Sequence, residues 1–360
     1  MRRVTGGTRA TLAALAAALV AVACGSTSTA GPGSTDVGSG NLVGAGATFP
    51  KPFYDKAFYD YTSKYQNVKI NYQGVGSGAG IQQFINNTVD FGASDVPMGA
   101  SDIASAGGAS VLTQIPTTLG VISVAYNLSG VDKLQLDADT LSRIFLGTIT
   151  KWNDPALMAL NTGVNLPSSK ITVVHRSDGS GTTFHFTDYL SKVSADWKSQ
   201  VGNAKSVKWP VGIGASGNQN VAQTITQTAG SVGYVELAYV VQTNMHQAYL
   251  KNANGKFVQA SVAGATAAAS QNSSASPTNF SITNEPGDES YPIAGFSWVI
   301  LRTAYDASKG KAIVYLFKWL VTDGQSDGSD LKYAPLPSAV QQLAITNLKA
   351  VHAGGNAVLS

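Results

Sequence analysis

Three times between residues 44 and 193 the chain passes from a β-rich stretch, through a glycine-rich turn, into apolar residues spaced as on a helix. The first passage is Gly44-Ala45-Gly46-Ala47-Thr48-Phe49-Pro50, followed by Phe53, Tyr54, Ala57, Phe58 and Tyr61 on one helical face. In the second, Val68, Ile70 and Tyr72 alternate with polar residues up to Gly74-Val75-Gly76-Ser77-Gly78-Ala79-Gly80, and Ile81, Phe84 and Ile85 then recur at helical spacing. The third runs from Ile171 to His175 through Arg176-Ser177-Asp178-Gly179-Ser180-Gly181-Thr182-Thr183 to Phe184, Phe186, Tyr189, Leu190 and Val193. A switch of period from two to about 3.6 marks strand, loop and helix, and its repetition predicts an α/β fold. Apolar runs at 119–126 and 296–301 have the composition of buried strands and are candidates for crossings between two lobes. Segments 309–321 and 338–351 read as amphipathic helices, whereas 252–285, rich in Ala, Ser, Asn and Thr, reads as a loose insertion or a weakly packed helix and strand.

Ahead of this lies a different kind of sequence. Arg2, Arg3 and Arg9 precede an apolar run, 11–23, that is too short to cross a bilayer and ends at Ala23-Cys24. This is an export signal. Cys24 is the sole cysteine, so no internal disulfide can form. Its place at the expected cleavage point resembles a bacterial lipoprotein, although Ala21 stands where such proteins more often have leucine. The expectation is a signal peptide over 1–23 and a lipid-anchored, flexible tether over 24–40, composed of Gly, Ser, Thr, Ala and Pro. The rest, roughly 320 residues, is long enough for two domains. The formal net charge is +3. Removing residues 1–23 leaves 21 basic against 21 acidic residues, and no Lys/Arg cluster suggests a nucleic-acid partner.

Each glycine-rich turn therefore precedes a helix start. Such starts carry unpaired N–H groups and the positive end of a dipole, which suits an oxyanion. Thr48 reads as an N-cap, Ser77 offers a hydroxyl and an N–H, and Arg176 adds a planar fork of donors that Asp178 can orient. Three such turns in one chain point to a small tetrahedral anion. Gly212 to Gly217 formally matches the dinucleotide fingerprint G-x-G-x-x-G, with Glu236 near the spacing of a ribose-binding acid, but Pro210 interrupts the strand it would need. A secreted serine hydrolase using Ser180 with His175 or His185 is the enzymatic rival. Its D-G-S-G is not a nucleophile elbow, and the four histidines have no metal-ligand spacing.

The segments GAGATFPKPFY, NYQGVGSGAGIQQFINNTVDFGASDVPM, LGTITKWNDPAL, HRSDGSGTTFHFTDYL, VKWPVGIGASGNQNV and GSVGYVELAY resemble the phosphate-binding component of bacterial high-affinity phosphate ABC transporters. The resemblance spans nearly all of 41–351. It implies an α/β, two-lobed periplasmic-binding-protein fold of type II, each lobe a mixed β-sheet flanked by helices and joined by crossing strands. Lobe I would comprise 41–122 and 292–360, and lobe II 123–291. It further implies a monomeric, non-enzymatic protein without cofactor or metal, anchored by lipid at the extracytoplasmic face of the membrane. Such a protein captures inorganic phosphate by hydrogen bonds and passes it to permease subunits. Another tetrahedral oxyanion is the alternative ligand. The implied phosphate ligands are Thr48, Phe49, Ser77, Asp95, Arg176, Ser180, Gly181 and Thr182. His175 departs from the pattern, since relatives often carry a second arginine there. Asp95 would accept the proton that phosphate retains near neutral pH, which fully ionised sulfate lacks.

Overall fold

The computed structural model describes residues 36–272 and 274–360. The expected signal peptide, Cys24 and most of the expected tether lie outside the described residues. The end of that tether belongs to the folded body: Val37 is buried, and the Ser39 N–H donates to the Ser308 hydroxyl. Val37–Ser360 forms one compact unit.

The alternation read from the sequence appears as β1 (Gly40–Gly46), α1 (Lys51–Lys64), β2 (Val68–Gly74), α2 (Ser77–Ile85), β3 (Phe91–Ser94) and β4 (Leu112–Asn127). After a stretch of short elements come β5 (Thr172–Arg176), α3 (Gly181–Val193), β6 (Ile213–Ala215), α4 (Gly217–Gln227), β7 (Ser231–Glu236) and α5 (Leu237–Gln242). The chain ends with α6 (Val262–Ala269), β8 (Ala294–Arg302), α7 (Ala307–Val321), α8 (Ser338–Leu348) and short strands. Nine strands make one sheet, ordered β2-β1-β3-β8-β4-β7-β5-β6, with His246–Gln247 paired beside β4. β1 runs parallel to β2 and β3, and β5 runs parallel to β6 and β7. Between these parallel groups, β8 and β4 pair antiparallel to each other and to their outer neighbours.

β4 changes partner partway along. Leu112 to Val121 pair with β8, and Ile122 to Asn127 pair with β7. Nearly every residue of β4 and β8 is buried, as a sheet covered on both faces requires. These are the two apolar runs expected to cross. Their register shifts between Ser297 and Trp298, opposite Pro116 and Thr118. Proline cannot donate to the ladder, and a bulge of this kind re-aims neighbouring side chains.

Of the two alternatives for segment 252–285, the structure has the helix and strand, over Val262–Ala269 and Phe257–Val258, and not the loose insertion. α6 is capped by Ser261, buries Ala265, Ala268 and Ala269, and packs against β4 and β8. Its small side chains permit that approach: a Cβ on Gly264 would sit 2.9 Å from the Cβ of Tyr291. Asn252 is also buried, and its Nδ2 donates to the carbonyls of Gly287, Asp288 and Ser290.

Candidate functional site

In an open α/β sheet, ligands gather outside the carboxyl ends of the strands. β1 ends at Gly46, whose φ of +153° and contact with β3 leave no room for a side chain, since a Cβ would lie 1.9 Å from the Ala93 carbonyl oxygen. The chain then turns through Thr48 into α1. Thr48 is not the cap expected of it. Pro50 occupies the N-cap position without a side-chain hydrogen bond, because the Thr48 hydroxyl is engaged elsewhere: Oγ1 accepts from the Asn218 N–H at 3.1 Å and from Asn218 Nδ2 at 3.0 Å. The Phe49 side chain points into the core, edge-on to Tyr333, which leaves its backbone as the part that can face a ligand. Tyrosine hydroxyls hold both neighbouring carbonyls, with Tyr239 donating to Thr48 and Tyr333 to Phe49, each at 2.6 Å.

The second turn places Ser77 at the start of α2, fully buried. Its Oγ accepts from the Gly181 N–H at 3.1 Å and from the Asp95 N–H at 3.3 Å. The third turn follows β5, whose last residue is Arg176. The Arg176 Nε and Nη2 donate to the two Asp178 oxygens at 2.7 and 2.5 Å, and Nη1 reaches Thr182 Oγ1 at 3.4 Å. Arg176 is 3% exposed, so a bidentate partner is what makes a buried guanidinium tolerable. Burial acts to raise the Asp178 carboxyl, but its bonds and charge contact with Arg176 outweigh that and hold it below the usual carboxylate value. Asp178 thus clasps the guanidinium with both oxygens, and it also accepts from the Gly217 N–H. Ser180 is the N-cap of α3, its Oγ accepting from the Thr183 N–H at 3.1 Å.

Asp95 follows β3 and is 1% exposed. Its Oδ1 accepts from the Ser297 hydroxyl at 2.8 Å, beside the β8 bulge, and its carbonyl accepts from His185 Nε2 at 3.0 Å. The carboxylate lies against Gly181, where a Cβ would come within 2.5 Å of Oδ2. Burial pushes the Asp95 carboxyl up to about 7, against smaller opposing effects from Ser297 and Arg176. Glu236, fully buried nearby, is pushed well above its ordinary value by burial. Every ligand expected from sequence is therefore buried; hydrogen bonds join Ser77 to Asp95 and Gly181, Arg176 to Thr182, and Thr48 to Thr182 through Asn218, whereas Ser180 Oγ accepts from the Thr183 N–H and the Phe49 carbonyl accepts from Tyr333.

Sequence reading missed Asn218, Ser297 and the supports Tyr239 and Tyr333, and it met Glu236 only as the acid of a nucleotide motif. Asn218 is the second residue of α4, directly after Ser216-Gly217, a serine-glycine helix start like Ser77-Gly78 and Ser180-Gly181. That repetition was the available signal, inside the segment weighed as a nucleotide motif. The hydrolase geometry is also unsupported. His175 stacks on Trp209 with centroids 4.7 Å apart, His185 bonds to the Asp95 carbonyl, and the Ser180 hydroxyl caps α3. Among the described residues no group of three or more His, Cys, Asp or Glu could hold a metal, and no helix is long and apolar enough to cross a membrane.

This fold, with helix starts gathered at strand ends, has counterparts among known proteins. The PBP superfamily domain matches residues 27–322. The chain is 44% identical over 315 residues to the phosphate-binding protein PstS of Xylella fastidiosa strain 9a5c, covering 86% of this chain and 85% of that protein. It is 45% identical over 306 residues to the phosphate-binding protein PstS of Pasteurella multocida strain Pm70, covering 84% and 88%. Among solved structures, a phosphate-binding protein from Stenotrophomonas maltophilia shares the fold with a TM-score of 0.67 at 19% identity, covering 86% of this chain and 94% of the other. The chain belongs to the PBP superfamily and, within it, to the family of PstS phosphate-binding proteins.

Proposed function

We propose that the protein binds one inorganic phosphate between the starts of α1, α2, α3 and α4 and delivers it to an ABC importer. The observation that carries this reading is the burial of Arg176, Thr48, Ser77, Ser180 and Thr182 around Asp95. Donors come from helix starts and one guanidinium, and a single carboxylate is at hand to accept. The proposed ligands are Thr48, Phe49, Ser77, Asp95, Arg176, Ser180, Gly181 and Thr182. The Arg176–Asp178 pair keeps the site close to neutral, so a multiply charged anion is held by directed hydrogen bonds and can be released.

The two lobes, 41–122 with 292–360 and 123–291, are proposed to close on the ligand about β4 and β8. Support for this comes from contacts that join them around the site: Thr48 to Asn218, Ser77 to Gly181, and the Asp95 carbonyl to His185. Closing excludes water and strengthens each bond, and a changed outer surface reports loading to the permease subunits. The leader and Cys24 support a lipid-anchored location at the extracytoplasmic face. Calorimetric titration of the purified protein should give one phosphate per chain at micromolar or tighter affinity. Absence of both binding heat and a thermal shift would refute the reading.

A further inference from the structure

Asn218 stands outside every motif expected to bind, yet its hydrogen-bonding atoms are fully engaged around the site. The Glu236 N–H can only donate, so the Asn218 amide oxygen must face it, at 3.1 Å. That orients Nδ2 towards two hydroxyls, Thr48 Oγ1 at 3.0 Å and Thr182 Oγ1 at 3.1 Å. The Asn218 N–H donates to Thr48 Oγ1 as well, at 3.1 Å. A hydroxyl has two lone pairs and one proton. Thr48 Oγ1 accepts twice from Asn218, and Thr182 Oγ1 accepts from Asn218 and from Arg176 Nη1. What remains to each is its proton.

We propose that Asn218 is a positioning residue of the phosphate site, which fills the acceptor positions of Thr48 and Thr182 and so makes both hydroxyls obligate donors towards an oxyanion. This rests on the assignment of Thr48 and Thr182 to the site. A freely rotating hydroxyl offers a lone pair as readily as a proton, and a lone pair turned to a phosphate oxygen repels it. Fixing the rotors during folding removes that cost from binding. It also separates roles within the site: the hydroxyls give, and Asp95 receives the proton that the ligand carries.

Asn218→Asp keeps the shape but places a second acceptor where Nδ2 stood. An ionised carboxylate there draws both threonine protons to itself, and the phosphate Kd should rise about hundredfold at pH 8 relative to wild type. The ratio of variant to wild-type Kd should shrink at pH 5, where a protonated carboxyl regains a donor, a readout that a merely structural role would not move. Asn218→Ala should raise Kd about tenfold. In double-mutant cycles with Thr48→Val and Thr182→Val that increment should fall to about twofold or less, because the hydroxyl to be oriented is gone. These cycles carry the test if Asn218→Asp does not fold. Phosphate binding by Asn218→Ala within about twofold of wild type, or a fully additive cycle, overturns the proposal. Wild-type binding by Thr48→Val and Thr182→Val would instead overturn the assignment of the threonines.

Discussion

Asp95 faces two demands at once: a carboxylate beside an anion repels it, and a buried carboxylate resists ionising. Burial pushes its pKa up to about 7, so above that pH it is an acceptor for the phosphate proton, and sulfate has none to give. Below it, the protonated carboxyl can donate to sulfate. The preference for phosphate over sulfate should therefore be larger at pH 8 than at pH 5. Competition titrations returning one ratio at both pH values would contradict this. Asp95→Asn donates at every pH and should narrow the ratio at pH 8 by about tenfold or more, on the scale of about 1–3 kcal/mol for an unpaired buried group. Stability follows the same residue. The folded pKa lies above the unfolded value of 3.8, so the folded state keeps a proton that the unfolded chain has lost, and this group lowers stability as pH rises from about 4 to 7. His185, which burial lowers from 6.5 to about 4, acts oppositely in the overlapping window. The difference in unfolding free energy between Asp95→Asn and wild type isolates Asp95 and should grow in the variant's favour across that range.

The turns between strands and helices are tight enough to test by single methyl groups. Gly76 has φ +91°, and a Cβ there would lie 2.3 Å from Asp178 Oδ2, the oxygen that clasps Arg176 Nη2. Gly108 has φ +101° with nothing within 4 Å of its added Cβ. Both alanine variants should lose about 1–3 kcal/mol of stability from the left-handed backbone. Gly76→Ala alone should also weaken phosphate binding, because Asp178 and the arginine it holds must shift. Denaturant unfolding and calorimetry on the pair separate the two effects, and equal affinities would show that Gly76 does not support the site. At this scale the strand-loop-helix passages were legible because period and glycine placement are local properties of the chain. α6 was legible only as one of two alternatives, since VAGATAAA has no stripe of large residues and its burial is conferred by β4, β8 and Tyr291. Asn218 was hidden for a related reason: its partners Thr48 and Thr182 lie far away in sequence, and only the folded sheet brings the start of α4 to them.

For the whole molecule, the decisive element is β4, which pairs with β8 over one part of its length and with β7 over the next. No cut through the sheet separates two complete cores. Unfolding should therefore be a single cooperative transition, with the region of Trp298 and that of Trp197 and Trp209 reporting the same midpoint. Phosphate at a thousand times Kd should add about 4 kcal/mol to that one transition. Two resolved transitions, or a shift confined to one of them, would contradict the shared strand as the unit of cooperativity. The α/β class and the crossing runs were readable in sequence, but the change of partners between Val121 and Ile122 depends on distant strands and was not.

The same strand governs time as well as stability. Leu112 to Val121 cannot find their ladder until residues 294–302 have been synthesised, and Ile122 to Asn127 wait for residues 231–236. Such distant pairings close slowly, since the loop entropy is spent before the contacts return it. In a chain of this topology the central strand stays without its partners until most of the sequence has been made, and a chain whose central sheet is still incomplete is suited to threading through a membrane channel.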